Sequence, residues 1–424
     1  MRMKKNVLII AQECNPNWVS VPKVCFQIIQ ALSNNENITL ITHKRNELHL
    51  KSVSNRIKVE YIKDSWFSQL AHKIALKLSF QKKFWPIYHF LSLPIHFNFC
   101  KQVEKKYCEK ILKKEYDVVH MISPMIPRYH APLINLCHQE NIPFILGPVN
   151  GGLEYPKGFF KISASDGGFF KKLIWIYQNN KLLKETYNKA TKVICGGEHV
   201  INHLSNYYPF LKKKSFWMPE NGILQDEIVS KTKVINLNKE LKLIFIGRLV
   251  PYKGCQYVLK ALGDIVKEYD NWNIKIIGDG EQYKQLQNDV IKYKIENKVK
   301  FFNWLEHHEV LRLLEDSDLL VFPSIREFGG GVIMEALSKG CPSVVANYGG
   351  PAEIVDEQTG YLVSFDSEDT LIQNLKETMR NILNNPMQLV SKSANSLKKA
   401  DLFTWEKKAD LISDLYNHCL TKRA

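Results

Sequence analysis

A chain of 424 residues has the length for two domains of ordinary size, each with its own core. A formal charge of +15 points to an acidic partner such as an anionic membrane surface or a phosphorylated small molecule, whereas the scattered lysines, with no nucleic-acid motif beside them, argue against nucleic acid. Nine cysteines, an odd number with no CxxC spacing, match the usage of a reducing cytosol and argue against a disulfide framework.

The N-terminus, MRMKKNVLIIAQECNPN, mimics a signal peptide, but its apolar run covers only Val7 to Ala11 and no small-residue cleavage site follows. It is expected to be a first buried strand. Further strand-like runs follow at Ile38–Thr42, Ile57–Tyr61, Val118–Met121, Phe144–Leu146 and Val193–Cys195, alternating with helical patterns. Such alternation predicts a parallel sheet with helices on both faces, whose ligands bind beyond the carboxyl ends of the strands. The loops to read for chemistry therefore follow Ala11, Val119 and Leu146. The first reads QECNPNWVSVP and has no glycine; its Trp18 could pack the first helix. The third, Gly147-Pro148-Val149-Asn150-Gly151-Gly152, is glycine-dense.

Two stretches interleave lysines with aromatics, Trp66 to Tyr107 (Lys73, Lys77, Lys82, Lys83, Phe84, Trp85, Tyr88, Phe90) and Phe159 to Tyr187 (Phe169, Phe170, Lys171, Lys172, Trp175, Tyr177). That mixture suits the headgroup layer of a membrane, although ordinary helices with a solvated lysine face would read the same. No stretch has the length of a membrane-spanning helix, because prolines and polar residues interrupt the nearest, Phe84 to Cys100.

A domain break is expected at Pro219-Glu220-Asn221-Gly222-Ile223, giving domains over 1–222 and 223–400 and a last helix over 401–424. The second half repeats the alternation, with strands at Leu243–Ile246, Ile274–Ile277, Val299–Phe302, Leu319–Phe322 and Ser343–Ala346. Arg248 ends the first of these, and Lys253-Gly254 follows it. Asp316-Ser317-Asp318 has the form of a metal-binding DxD. It stands before a strand, however, on the edge opposite the expected site, and is set aside.

The densest pattern is LLVFPSIREFGGGVIMEALSKGCPSVVANYGGPAEIV, Leu319 to Val355. A buried strand leads into a loop with Glu327, then Gly329, Gly330 and Gly331 open a helix that carries Glu335 one turn in. Glycines at such a turn let backbone N–H groups approach a ligand, and the helix N-terminus behind them favours negative charge. The two carboxylates would repel that anion directly. They are better placed to accept hydrogen bonds from its neutral hydroxyls, which points to a phosphorylated sugar.

The glutamate pair, with IGRLVPYKG upstream and Tyr348-Gly349-Gly350-Pro351-Ala352-Glu353 downstream, resembles the signature of the retaining glycosyltransferases of family 4, closely from Leu241 to Val363 and loosely elsewhere. The resemblance implies a GT-B fold, α/β, with two doubly wound Rossmann-like domains facing across a cleft and the C-terminal helix crossing back to the first. It implies a metal-independent transfer from a nucleotide sugar, UDP- or GDP-linked, to a glycan or lipid-linked acceptor. Arg248 and Lys253 would then neutralise the pyrophosphate, Glu327 would meet the transferred sugar, and Glu335 the ribose. Gly278, Gly280, Phe328 and Gly329 to Gly331 would complete the donor site, with no metal ligand and no cofactor. His120 lies where the family places a histidine facing the transferred sugar. Trp18, Ser20, Asn150 and Gly151 fall on the acceptor side, and Trp405 would anchor the last helix. A cytoplasmic enzyme of bacterial surface polysaccharide synthesis, attached peripherally to the membrane, is the expectation. A GT-B epimerase or phosphorylase, or a non-catalytic sugar-nucleotide-binding scaffold, stands as the alternative.

Overall fold

The structure is a computed structural model that describes residues 3–18, 20–51, 56–66, 68–70, 73–74, 85–159, 162, 180–236 and 239–421. Its chain divides into two compact units, one of residues 1–152, 169–220 and 405–424, the other of 153–168 and 221–404. The chain thus crosses between them four times, where the sequence suggests a break at 222 and a return at 401. Residues 401–404 stay with the second unit, where Ile223 bridges to Thr404.

The first unit holds a seven-stranded parallel sheet of β1 (Asn6–Ala11), β2 (Asn37–His43), β3 (Ile57–Ile62), β4 (Val118–Ser123), β5 (Phe144–Val149), β6 (Lys192–Cys195) and β7 (Ser215–Trp217), in the order β3-β2-β1-β4-β5-β6-β7. Strands β1, β4 and β5 are apolar and buried almost throughout, the pattern of parallel strands covered on both faces. The helices are α1 (Val21–Asn35), α2 (Trp85–Leu112), α3 (Ile134–Gln139), α4 (Lys181–Lys189) and α5 (Glu198–Tyr207). Strand β7, three half-buried residues long, carries too little apolar pattern to be read from sequence.

In the second unit, β8 (Leu241–Ile246), β9 (Trp272–Ile277), β10 (Val299–Phe302), β11 (Leu319–Phe322), β12 (Ser343–Ala346) and β13 (Gly360–Val363) form a parallel sheet in the order β10-β9-β8-β11-β12-β13. Around it lie α6 (Cys255–Ile265), α7 (Tyr283–Tyr293), α8 (His307–Glu315), α9 (Gly331–Ser338), α10 (Gly349–Ile354), α11 (Glu368–Asn384) and α12 (Gln388–Ala400). The last helix, α13 (Trp405–Thr421), returns to the first unit as expected: Trp405, Ala409, Ile412, Leu415, Tyr416 and Cys419 share one core with α1 and β1. Trp405 is buried and acts as the anchor.

Among the described residues no helix is long and apolar enough to cross a membrane. The basic aromatic stretches divide. Trp66 is 76% exposed, but Tyr107, Phe159 and Tyr187 are buried and belong to the interior. Lys77, Lys82, Lys83, Phe84, Phe169, Phe170, Lys171, Lys172, Trp175 and Tyr177 lie outside the described residues.

Candidate functional site

In both sheets the strand order reverses once, between β1 and β4 and between β8 and β11. Loops beyond the carboxyl ends diverge at such a point and leave room for a ligand. In the second unit those loops follow β8, with Arg248 and Lys253, and β11, with Glu327. Gly254 is why they approach so closely. Its φ is +81°, and a Cβ there would lie 2.6 Å from the Pro323 carbonyl oxygen. The loops are tied by Ile325 N–H and Ser324 Oγ, both donating to the Tyr252 carbonyl at 2.9 and 3.1 Å.

The resulting constellation is charged. Lys253 Nζ forms an ion pair with Glu327 Oε2, both side chains mostly buried, and lies 5.0 Å from the centre of the Phe322 ring. Arg248, exposed, donates through Nη2 to the Tyr252 hydroxyl, with its guanidinium 5.8 Å from that ring. Thus the lysine and glutamate expected to meet different parts of a donor hold each other. Glu335 sits one turn inside α9, and its Oε1 is 3.1 Å from His307 Nε2 on α8. His307 escaped notice in the sequence because it stands beside another histidine on a helical face, with no local motif.

The glycines prove to be packing devices. A Cβ on Gly278 would fall 2.0 Å from the Gly247 carbonyl oxygen, and one on Gly280 2.3 Å from that of Leu249, so the turn after β9 presses against the backbone on either side of Arg248. Gly349 and Gly350 press likewise on Glu327 and Phe328, and Gly350 N–H donates to the Glu327 carbonyl at 3.0 Å. That N–H is therefore committed to the protein. Gly330, with φ of +57°, starts α9, preceded by buried Gly329 and followed by Gly331 against Asn221. Phe328 stacks with Arg326 at 5.3 Å.

Four residues given no role in the sequence complete this edge: Tyr252 and Arg326, within the quoted motifs, and Tyr155 and His307, outside them. The Arg326 guanidinium lies 4.7 Å from the Tyr155 ring centre, and Tyr155 meets Tyr252 edge-on at 6.5 Å. Asp316 is bound to Lys242 and Lys275 at 2.5 and 2.6 Å, and Asp318 accepts from Lys242 N–H at 2.8 Å, all at the amino end of β11.

In the first unit His120 lies inside the sheet. It is wholly buried in β4: Nε2 donates to the Gly147 carbonyl at 2.7 Å, which leaves Nδ1 to accept from the Tyr416 hydroxyl at 2.6 Å. Burial pushes its pKa down to about 4, so the ring is a neutral strut joining β4, β5 and α13. Trp18 is 36% exposed and rests beside His49 with ring centres 6.3 Å apart. Ser20 precedes α1 with φ of +65°, exposed, and its backbone carbonyl accepts from Lys23 and Val24. Asn150 donates to Glu220 Oε1 and accepts from Gly151 N–H at 2.7 Å. All four lie on loops at the carboxyl edge of their sheet. Glu13, missed in the sequence, shares that edge; burial raises its carboxyl, with Arg45 opposing.

His96, Cys100 and His130 are the described group with ligand atoms close enough to share a metal, within 4.8 Å of one another. Both His96 nitrogens already face partners, Gln12 Oε1 at 2.9 Å and the His130 carbonyl at 2.8 Å, so the cluster is read as packed interior. A cavity of about 420 Å³ lined by Asn37, Thr39, Arg56, Lys58 and Tyr116 opens at the amino ends of β1 to β3, the edge opposite these loops.

Residues 228–400 match the family described as Glycosyl transferases group 1. The chain is 28% identical over 225 residues to an uncharacterised glycosyltransferase of Methanocaldococcus jannaschii, covering 53% of this chain and 58% of that protein. It is 30% identical over 178 residues to a glycogen synthase of Mycobacterium tuberculosis, covering 41% and 42%. These matches span about half the length of the curated relatives. Among solved structures, the HepE protein of Anabaena in complex with UDP superposes with a TM-score of 0.62 at 16% identity, covering 98% of this chain and all of that one.

Proposed function

We propose, from the premise that residues 228–400 carry a Glycosyl transferases group 1 domain within a GT-B fold, that this protein is a retaining, metal-independent glycosyltransferase using a nucleotide sugar. The observation that carries the reading is the convergence of Arg248, Lys253 and Glu327 on the loops that diverge at the β8/β11 reversal, with the N-terminus of α9 beside them. Bond breaking between the sugar's anomeric carbon and the diphosphate leaves charge on the phosphate oxygens. Two cations and fixed backbone dipoles stabilise it, and such preorganised electrostatics is usually the largest catalytic contribution. Arg248 offers a planar fork and Lys253 a mobile point charge. As Lys253 turns to phosphate, Glu327 is released to accept hydrogen bonds from the sugar. The acceptor oxygen attacks on the face the diphosphate leaves and gives its proton to the departing phosphate oxygen, so no enzymic nucleophile is needed. Glu335 accepts from the ribose hydroxyls in place of its bond to His307.

A relative in the same fold is described in complex with UDP, which makes UDP-sugars the first donors to try, with GDP-sugars beside them. A glycan or lipid-linked glycan is the acceptor class, with Trp18, Ser20, Asn150 and Gly151 on the acceptor side. Peripheral membrane attachment at the cytoplasmic face rests on the net charge and exposed Trp66. The test is release of nucleoside diphosphate from UDP- and GDP-sugars in EDTA. Release that requires added manganese contradicts the reading, and absence of release under any condition favours a binding scaffold.

A further inference from the structure

Residues 153–159 follow β5 of the first unit in sequence but pack on the second. Four contacts hold them there. The Leu153 carbonyl accepts from Arg326 Nε at 3.5 Å, and the Glu154 carbonyl from the Tyr348 hydroxyl at 2.7 Å. Phe159 is buried between Tyr257 and Phe365, ring centres 6.2 and 5.4 Å away. Gly158 lies so close that a Cβ would sit 2.0 Å from the Asp366 carbonyl oxygen. The family match begins at 228 and does not include this segment.

Tyr155, midway along, touches both loops of the charged constellation. Its ring lies against Arg326, the residue before Glu327, and edge-on to Tyr252, whose hydroxyl holds Arg248 and whose ring lies 5.9 Å from Lys253. An arginine side chain has many rotamers, and a guanidinium held over an aromatic face loses most of them. A tyrosine wedged edge-on by another ring is likewise confined about its side-chain torsions.

We propose that the segment Leu153–Phe159 is a built-in part of the donor site and that Tyr155 is a positioning residue, setting Glu327 through Arg326 and Arg248 through Tyr252. This rests on the functional reading above. Tyr155 touches no reacting atom; it narrows the conformations of the groups that do. The ring provides both contacts, so Phe should serve and Leu, of similar bulk but without a π-face, should not.

The experiment compares full-length wild type, Tyr155→Ala, Tyr155→Leu and Tyr155→Phe by calorimetric titration with UDP and GDP, with melting curves and donor kinetics. Expected are a five- to thirtyfold weaker nucleoside diphosphate affinity and a matching rise in donor KM for Ala and Leu, with Phe within twofold of wild type. If Ala melts early, Leu, which keeps the volume, carries the comparison. Wild-type affinity in both Ala and Leu, or a Phe variant as weak as Ala, overturns the role of Tyr155. Failure of the wild type itself to bind either nucleotide overturns the donor-site reading instead, so the two failures are distinct.

Discussion

His120 lies within β4 and Lys253 on the loop after β8, and burial sends them to opposite uses. His120 has both ring nitrogens occupied inside the first unit, so replacing it by Leu leaves the Gly147 carbonyl and the Tyr416 hydroxyl unpaired. Each unsatisfied buried group costs about 1–3 kcal/mol, so a lowered Tm with unchanged nucleoside diphosphate affinity is expected, measured by melting and titration side by side. Lys253 is paired with Glu327 at a loop edge. Its replacement by Ala should weaken nucleoside diphosphate binding by roughly ten- to a hundredfold, the equivalent of about 1.5–3 kcal/mol for a charge-assisted contact. The two glutamates should divide. Glu335→Gln is expected chiefly to raise KM, since ribose contacts change little during reaction, and Glu327→Gln chiefly to lower kcat, since its sugar gains positive charge. Steady-state kinetics showing the reverse split would sink these assignments.

The helix α13 contributes Trp405, Ile412, Leu415 and Tyr416 to the core beside β1. Each large side chain so buried stabilises by about 1.5–3 kcal/mol, a sum comparable to the whole stability of a domain, so truncation after Thr404 should unfold the first unit. Proteolysis of the truncated chain should digest the first unit ahead of the second. The same helix carries Lys408, buried, donating to the Pro219 carbonyl near Glu220. Burial pushes its pKa down to about 7, with Glu220 opposing. Because that value lies below the unfolded lysine's, the unfolded chain binds more protons between about pH 7 and pH 10, and this group makes stability rise with pH there. Denaturant titrations across that range should show a positive slope that Lys408→Met removes. None of this could be read from sequence, since the partners lie 189 residues apart. The strongly apolar strands such as β1, β4, β8 and β11 were legible. The half-buried β7 was not, and neither was β13, with its mixed pattern Gly360-Tyr361-Leu362-Val363.

At the scale of the molecule, the placement of Arg248, Lys253, Glu327 and Glu335 after their strands was legible because within one strand-loop-helix unit spacing in sequence is spacing in space. What sequence could not give is how separate loops meet: the ion pair across 74 residues, His307 against Glu335, and a strap from the first half of the chain beside Arg326. The bond of His120 to Tyr416, 296 residues away, was out of the sequence's reach for the same reason. The central claim is that two cations at the β8/β11 reversal do the work of a metal in holding a nucleoside diphosphate. Calorimetric titration with UDP and GDP in EDTA, for wild type, Lys253→Ala and Asp316→Ala, tests it most directly. The account predicts undiminished binding in wild type and Asp316→Ala and a loss of ten- to a hundredfold in Lys253→Ala. Binding that vanishes in EDTA, returns with manganese and depends on Asp316 would contradict it.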